Sequence, residues 1–93
     1  MTAYLYGEID HCSAVLIRES IDMAIERNRP RLLKLNFKSV SFMDSSGVGL
    51  VMGRYKSAQR YGGSTEVEGL SKIAEKIMLM SGLQNIIKLN KAK

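Results

Sequence analysis

The order in which two kinds of apolar pattern follow each other is the feature that most limits the fold of this chain. Four short apolar segments typical of strands alternate with three segments whose apolar residues recur at helical spacing. The predicted strands cover residues 3–9, 31–37, 64–68 and 85–89, and the predicted helices cover residues 13–28, 48–61 and 71–80. This alternation predicts an α/β domain with a mainly parallel or mixed sheet of about four strands and three main helices.

The connections between these elements place two polar segments near each other. We expect residues 10–14 to turn the chain after the first strand, and residues 38–43 to lead out of the second strand. In parallel sheets the functional loops gather at the carboxyl ends of the strands. The segments "GEIDH" and "MDSSG" follow the first and second strands, so Asp10 and Ser46 are predicted to lie close together.

Length and composition favour one small domain over residues 1–93, because the chain is 45% hydrophobic and 25% charged. A domain of this size exposes much of its surface, which favours a loop-built surface site over an enclosed catalytic cavity. No apolar run approaches the roughly 20 residues of a membrane helix, and no basic leader precedes an apolar block. Cys12 is the only cysteine. We therefore expect a cytoplasmic protein without a membrane partner.

The charge of +5 permits a weak attraction to nucleic acid or anionic lipid. The basic residues are spread along the chain, and the four tyrosines and two phenylalanines do not alternate with them as in an RNA-binding sheet. No direct nucleic-acid partner is expected, and a basic adaptor for nucleic acid is kept as a minor alternative.

The triplet Asp44-Ser45-Ser46 precedes the second helix and has two interpretations. Asp and Ser are preferred N-cap residues, because their side-chain oxygens accept hydrogen bonds from the free amides of the first turn. A serine at this place is also suited to regulation. A phosphate there, with a charge of roughly −1.5 to −2, would lie near those amides and the positive end of the helix dipole. The fold would tolerate this phosphate, whereas a closely fitted or acidic partner would be repelled by it. The residues alone leave both interpretations of the triplet open.

Three glycines follow in the same helix, at Gly47, Gly49 and Gly53. Each costs about 1 kcal/mol relative to alanine in a helix interior, with a smaller cost for Gly47 near the start. Two explanations for glycine at these positions remain open: close packing on the sheet, or an open surface for a partner.

Catalytic patterns are weak. Asp10, His11 and Ser46 suggest a hydrolytic triad, but there is no G-x-S-x-G motif and no evident set of oxyanion donors. The chain has no G-x-x-x-x-G-K-[ST] loop, and "GVGLVMG" misses the dinucleotide fingerprint by one residue. One histidine and one cysteine do not make a zinc site. We expect no enzymatic activity, no cofactor and no metal.

Three segments together resemble one family across nearly the whole chain: "LYGEIDH", "LNFKSVSFMDSSGVGLVMGRYK" and "MSGLQNIIKL". They are similar to the anti-sigma factor antagonists, the bacterial branch of the STAS domain (sulfate transporter and anti-sigma factor antagonist). The resemblance implies partner switching. An unphosphorylated member binds an anti-sigma factor that is also a serine kinase of the histidine-kinase-like ATPase fold, which releases the sigma factor. The kinase phosphorylates the second serine of D-S-S-G and so ends the binding, and a PP2C-type phosphatase removes the phosphate.

Transferred to this chain, the resemblance makes Ser46 the phosphorylated residue. Asp44 and Ser45 would shape the docking loop, and Asp10 would be a neighbouring contact to the kinase. Gly47 would keep the backbone beside the acceptor open to the kinase's nucleotide.

The resemblance also gives three further expectations. His11 is expected to be a loop residue without a special role. Family members usually carry a strand upstream of "LYGEID", so the sheet is expected to be one strand short at an edge, which favours weak self-association. The alternative within the family is a STAS scaffold or sensor module without a sigma-factor switch, in which Ser46 is chiefly a helix cap.

Overall fold

The computed structural model describes residues 1–91, so the last two residues of the predicted domain lie outside the described part. Strands and helices alternate along the chain as predicted. The elements are β1 (Thr2–Ile9), α1 (His11–Asn28), β2 (Leu32–Met43), α2 (Ser46–Arg60), β3 (Ser64–Leu70), α3 (Lys72–Met80), a 3-10 helix (Leu83–Asn85) and β4 (Lys88–Lys91). Within residues 1–91, no helix is long and apolar enough to cross a membrane.

The four strands form one sheet in the order β1-β2-β3-β4, and each neighbouring pair is parallel. The predicted α/β class with a mainly parallel sheet is thereby confirmed. In β2 the side chains of Leu33, Leu35 and Phe37 are buried, while the residues between them are only half-buried. This period of two gives the strand one face toward the core.

The core lies between that face and the helices. Ile25 of α1, Val51 of α2 and Met78 of α3 are fully buried and belong to the same apolar cluster as the β2 residues. Removing this apolar surface from water is the main favourable contribution to folding. The helices are thus fixed on the sheet, and their N-terminal ends lie beside the loops that follow the strands.

The predicted turn at residues 10–14 is wrong, because α1 begins at His11. Asp10 is the N-cap: its Oδ1 accepts a hydrogen bond from the Ser13 amide at 2.8 Å. The Ser13 hydroxyl oxygen accepts one from the Asp10 amide at 3.0 Å. This reciprocal capping box satisfies two backbone donors, so the helix starts directly after the strand.

The predicted exit from the second strand at residue 38 is also wrong, because β2 continues to Met43. Its pairing with β1 shifts twice, between Asn36 and Ser39 and between Val40 and Phe42, and each shift leaves an extra residue in β2. Such a bulge keeps the strand paired although its side-chain alternation is broken. The last predicted strand is shifted as well: residues 83–85 form a 3-10 helix, and β4 covers Lys88–Lys91.

Candidate functional site

The loops after β1 and β2 lie side by side at one edge of the sheet. Ile9 and Met43, the last residues of the two strands, are partners in the register. The Asp44 amide donates a hydrogen bond to the Ile9 carbonyl at 3.1 Å, so the pairing continues one residue into the loop. Asp10 and Asp44 therefore leave neighbouring strands at the same level, each directly before a helix.

Asp10 is held by the start of α1. The backbone amide of Ser13 donates to its carboxylate, and this is the main reason that the pKa of Asp10 lies below its ordinary value of 3.8. The Ser13 hydroxyl lowers this pKa further, while partial desolvation raises it. Asp10 thus presents an ionised carboxylate with a fixed orientation at the mouth of the site.

The triplet before α2 caps the helix through its aspartate. Ser45 occupies the N-cap position but makes no side-chain capping bond. The carboxylate of Asp44 does this instead, since its Oδ1 accepts from the Ser46 amide at 2.8 Å. No hydrogen bond within residues 1–91 engages the Ser46 hydroxyl. The cap interpretation of the triplet is therefore confirmed for Asp44, and within the described residues the half-buried Ser46 keeps a free hydroxyl.

A surface pocket of about 280 Å³ connects Ser46 with α1. His11 and Arg18 contribute from α1, and Ser46, Gly49 and Leu50 contribute from α2. His11 was expected in a loop, but it is the first residue of α1 and its side chain is exposed. The pocket lies between α1 and the start of α2, so a group attached to Ser46 has room beside α1.

The glycines of α2 differ in their surroundings. Gly47 is buried, and a Cβ added there would collide with the Met43 side chain, whose Cγ is 2.6 Å away. Close packing therefore explains Gly47, and the partner contact predicted for it remains a prediction. Gly49 is exposed, and an added Cβ would meet no atom within 4 Å. The open surface beside Ser46 is thus provided by Gly49, which lies one turn further along α2.

A charged contact fixes α1 against α2 next to this pocket. The Nε atom of Arg54 lies 2.7 Å from Oδ1 of Asp22, and the Arg54 side chain is only 5% exposed. Burial lowers the pKa of Arg54, while the charge of Asp22 raises it. Sequence reasoning did not single out Arg18, Asp22 or Arg54. For Arg18 and Asp22 the sequence does carry a signal, because residues four apart lie on one face of a helix.

The hydrolytic triad is not formed. The Asp10 carboxylate accepts from the Ser13 amide, and no hydrogen bond in the described chain joins Asp10 to His11 or His11 to Ser46. Within residues 1–91 there is also no group of three or more histidine, cysteine or acidic residues arranged to hold a metal ion.

A larger groove of about 590 Å³ lies elsewhere, between β1 and α1, and does not reach Ser46. It is lined partly by Tyr4, Tyr6 and Leu16, which are 74%, 78% and 70% exposed. β1 is at the edge of the sheet in the described structure. The weak self-association expected at such an edge remains a prediction.

Comparisons with known proteins agree with this geometry. A sequence model of the STAS domain matches residues 2–92. A protein named anti-sigma F factor antagonist from Paenibacillus polymyxa is 37% identical over 83 residues, which are 89% of this chain and 71% of that protein. The solved structure of the unphosphorylated anti-sigma factor antagonist SpoIIAA is 36% identical with a TM-score of 0.81, over 95% of this chain and 76% of that one.

A second solved structure is that of the Bacillus cell fate determinant SpoIIAA in its phosphorylated form. It is 36% identical with a TM-score of 0.71, and the match covers 95% of this chain and 79% of that chain.

The fold and the site define a small parallel α/β domain that presents two adjacent loops and a helix start on its surface. The chain belongs to the STAS domain family. The expected resemblance to anti-sigma factor antagonists, and to the stage II sporulation antagonist AA among them, is confirmed.

Proposed function

We propose that this protein is an anti-sigma factor antagonist controlled by phosphorylation of Ser46. The observation that carries the proposal is the free Ser46 hydroxyl at the start of α2, beside the loop that ends in Asp10. In its unphosphorylated form the protein binds an anti-sigma factor, and the sigma factor is released. The anti-sigma factor is a serine kinase of the histidine-kinase-like ATPase fold, which is the partner implied by the family resemblance.

Phosphorylation ends this binding. The Ser46 oxygen forms a bond to the γ-phosphorus of ATP, the bond between that phosphorus and ADP breaks, and the hydroxyl proton is released. The phosphate is tolerated because it lies near the positive end of the α2 dipole. Its charge of roughly −1.5 to −2 adds to those of Asp44 and Asp10 at one spot, so a closely fitted partner is repelled. A PP2C-type phosphatase restores the binding form.

The docking surface in this proposal consists of the two loop ends and the first turn of α2. Asp10 offers a carboxylate held in one orientation, suited to a basic group of the kinase. Ser45 is exposed beside Ser46. Asp44 holds the loop in place because its carboxylate accepts a hydrogen bond from the Ser46 amide. Gly47 contributes backbone rather than side chain to this surface.

The proposed role requires no catalytic group on this chain, since the kinase and the phosphatase supply the chemistry. Support comes from the neighbour SpoIIAA, which has been solved in both an unphosphorylated and a phosphorylated form. We place the protein in the cytoplasm, because its proposed partners control transcription and its only cysteine is unpaired.

Phosphate mapping tests the proposal. The purified protein is incubated with the cognate kinase and ATP, and the site is located by mass spectrometry. We expect phosphate on Ser46 and its complete loss in Ser46→Ala. Ser45→Ala shows which of the two serines is modified, because phosphate should still be found on Ser46 when the adjacent hydroxyl is absent. An active kinase that leaves Ser46 unmodified contradicts the switch.

Binding measurements test the consequence. Ser46→Ala should bind the kinase and never be switched off, while Ser46→Asp should bind at least tenfold more weakly, a loss of about 1.4 kcal/mol. Equal binding by both variants would show that charge at Ser46 does not control docking. Recovery of the protein in a large assembly with no release of a sigma factor would instead indicate the scaffold or sensor role.

A further inference from the structure

We infer that Arg18 of α1 binds the phosphate carried by Ser46 and that the pocket between α1 and α2 is the site of this phosphoryl group. The inference rests on the proposed phosphorylation and assigns a role to a residue outside the D-S-S-G segment. Arg18, His11 and Ser46 line the same pocket, which has a volume of about 280 Å³.

Helix geometry brings Arg18 toward Ser46. Residues four apart lie on one face of a helix, so Arg18 and Asp22 follow each other on α1, as do Leu50 and Arg54 on α2. The contact between Asp22 and Arg54 fixes how the two helices lie against each other. One helical turn closer to the N-terminal ends, Arg18 of α1 and Leu50 of α2 line the same pocket. One further turn toward the N-terminus of α2 is Ser46, its first residue. Arg18 of α1 and Ser46 of α2 therefore line the same pocket.

The charges around Arg18 do not neutralise its guanidinium. Arg18 is exposed and forms no ion pair within the part of the chain that the structure describes. Asp22, its neighbour on α1, is engaged by Arg54. The positive charge of Arg18 even contributes to lowering the pKa of Arg54, so Arg18 faces another cation on that side. A phosphate on Ser46 supplies the missing negative charge.

The chemistry of the two groups fits. A guanidinium donates two parallel hydrogen bonds to phosphate oxygens, which a single ammonium group does not do. The other titratable groups near Ser46 are His11, which lines the pocket, and Asp10 and Asp44, which directly follow the ends of β1 and β2. Both carboxylates already accept backbone amides, from Ser13 and Ser46, and they disfavour a second negative charge nearby. Arg18 offsets that repulsion and draws the phosphate against α1.

A phosphorus NMR titration tests this role. Phosphoserine is incorporated at position 46 during synthesis of the full chain, so no kinase is needed, and the second ionisation of the phosphate is followed. A neighbouring cation favours the dianion, so Arg18→Gln should raise the phosphate pKa and lower its acid dissociation constant about threefold. Arg18→Lys should restore most of the difference, because it keeps the charge.

Arg27→Gln is the matched control. It removes the same charge from the last turn of α1, nine residues away and about 13 Å further along the helix axis, and should leave the titration unchanged. High salt should reduce the difference between the parent and Arg18→Gln, since the pair is exposed. Identical titration curves for the parent and Arg18→Gln would overturn the inference. This outcome is independent of the proposed function, which fails instead if the kinase does not modify Ser46 or if phosphate does not weaken docking.

Discussion

Arg54 and Asp22 form a contact between α1 and α2 in which the two partners differ greatly in exposure. Nε of Arg54 lies 2.7 Å from Oδ1 of Asp22, with side-chain exposures of 5% and 38%. Removing Asp22 leaves a buried guanidinium without its counter-charge, whereas removing Arg54 leaves a carboxylate that water reaches. We expect Asp22→Asn to lower the free energy of unfolding by about 2–3 kcal/mol, and Arg54→Met by about 1 kcal/mol or less. Urea unfolding measures both values.

The double variant is the control for this asymmetry. Asp22→Asn combined with Arg54→Met should be more stable than Asp22→Asn alone, because no unpaired charge is left in the interface. Equal losses of unfolding free energy in the two single variants would show that the buried charge does not dominate the contact. A loss in the double variant equal to the sum of the two single losses would show the same.

Gly47 and Met43 are coupled by packing. A Cβ at position 47 would occupy the space of the Met43 side chain, which is itself 4% exposed. Gly47→Ala should therefore lower the free energy of unfolding by about 1–3 kcal/mol despite its better helix propensity. In a Met43→Ala background the same substitution should cost much less, since the colliding atoms are gone. A double-mutant cycle from urea unfolding measures the coupling; additive costs would contradict it.

The order of elements was predictable because it depends on local periodicity. Apolar spacing identifies α1, and the short apolar segment at the start of β2 identifies a buried strand. The far end of β2 was not predictable in the same way. Its pairing from Ser39 to Met43 depends on two bulges against β1, which are relationships between distant segments.

The candidate site was likewise only partly predictable from the sequence. The neighbourhood of Asp10 and Ser46 followed from the rule that strand ends meet at one edge of a parallel sheet. The free Ser46 hydroxyl did not follow, because Asp and Ser are both good capping residues and only the structure shows that Asp44 provides the bond. Arg18 was missed because its approach to Ser46 depends on how α1 packs against α2.

Gly49 and Gly53 allow stability and docking to be separated. An added Cβ meets no atom within 4 Å at either position. Gly49→Ala and Gly53→Ala should each raise the free energy of unfolding by about 0.5–1 kcal/mol, because alanine is the better helix former. Gly49 borders the Ser46 pocket, whereas Gly53 lies one turn beyond it. In a binding assay with the kinase, Gly49→Ala should weaken docking and Gly53→Ala should not. Equal affinities would place the docking surface away from Gly49.

Asp10 should make stability depend on acid pH. The Ser13 amide lowers its pKa below the value of 3.8, so the unfolded chain binds the proton more readily than the folded one. The stabilisation is complete at pH values above 3.8 and is lost as the pH falls through the lower pKa of the folded state. Asp10→Asn keeps a capping oxygen without the charge. Its urea midpoint should be lower than that of the parent at neutral pH, and the two midpoints should converge in acid. A constant difference between them at all pH values would show that the charge of Asp10 does not stabilise the start of α1.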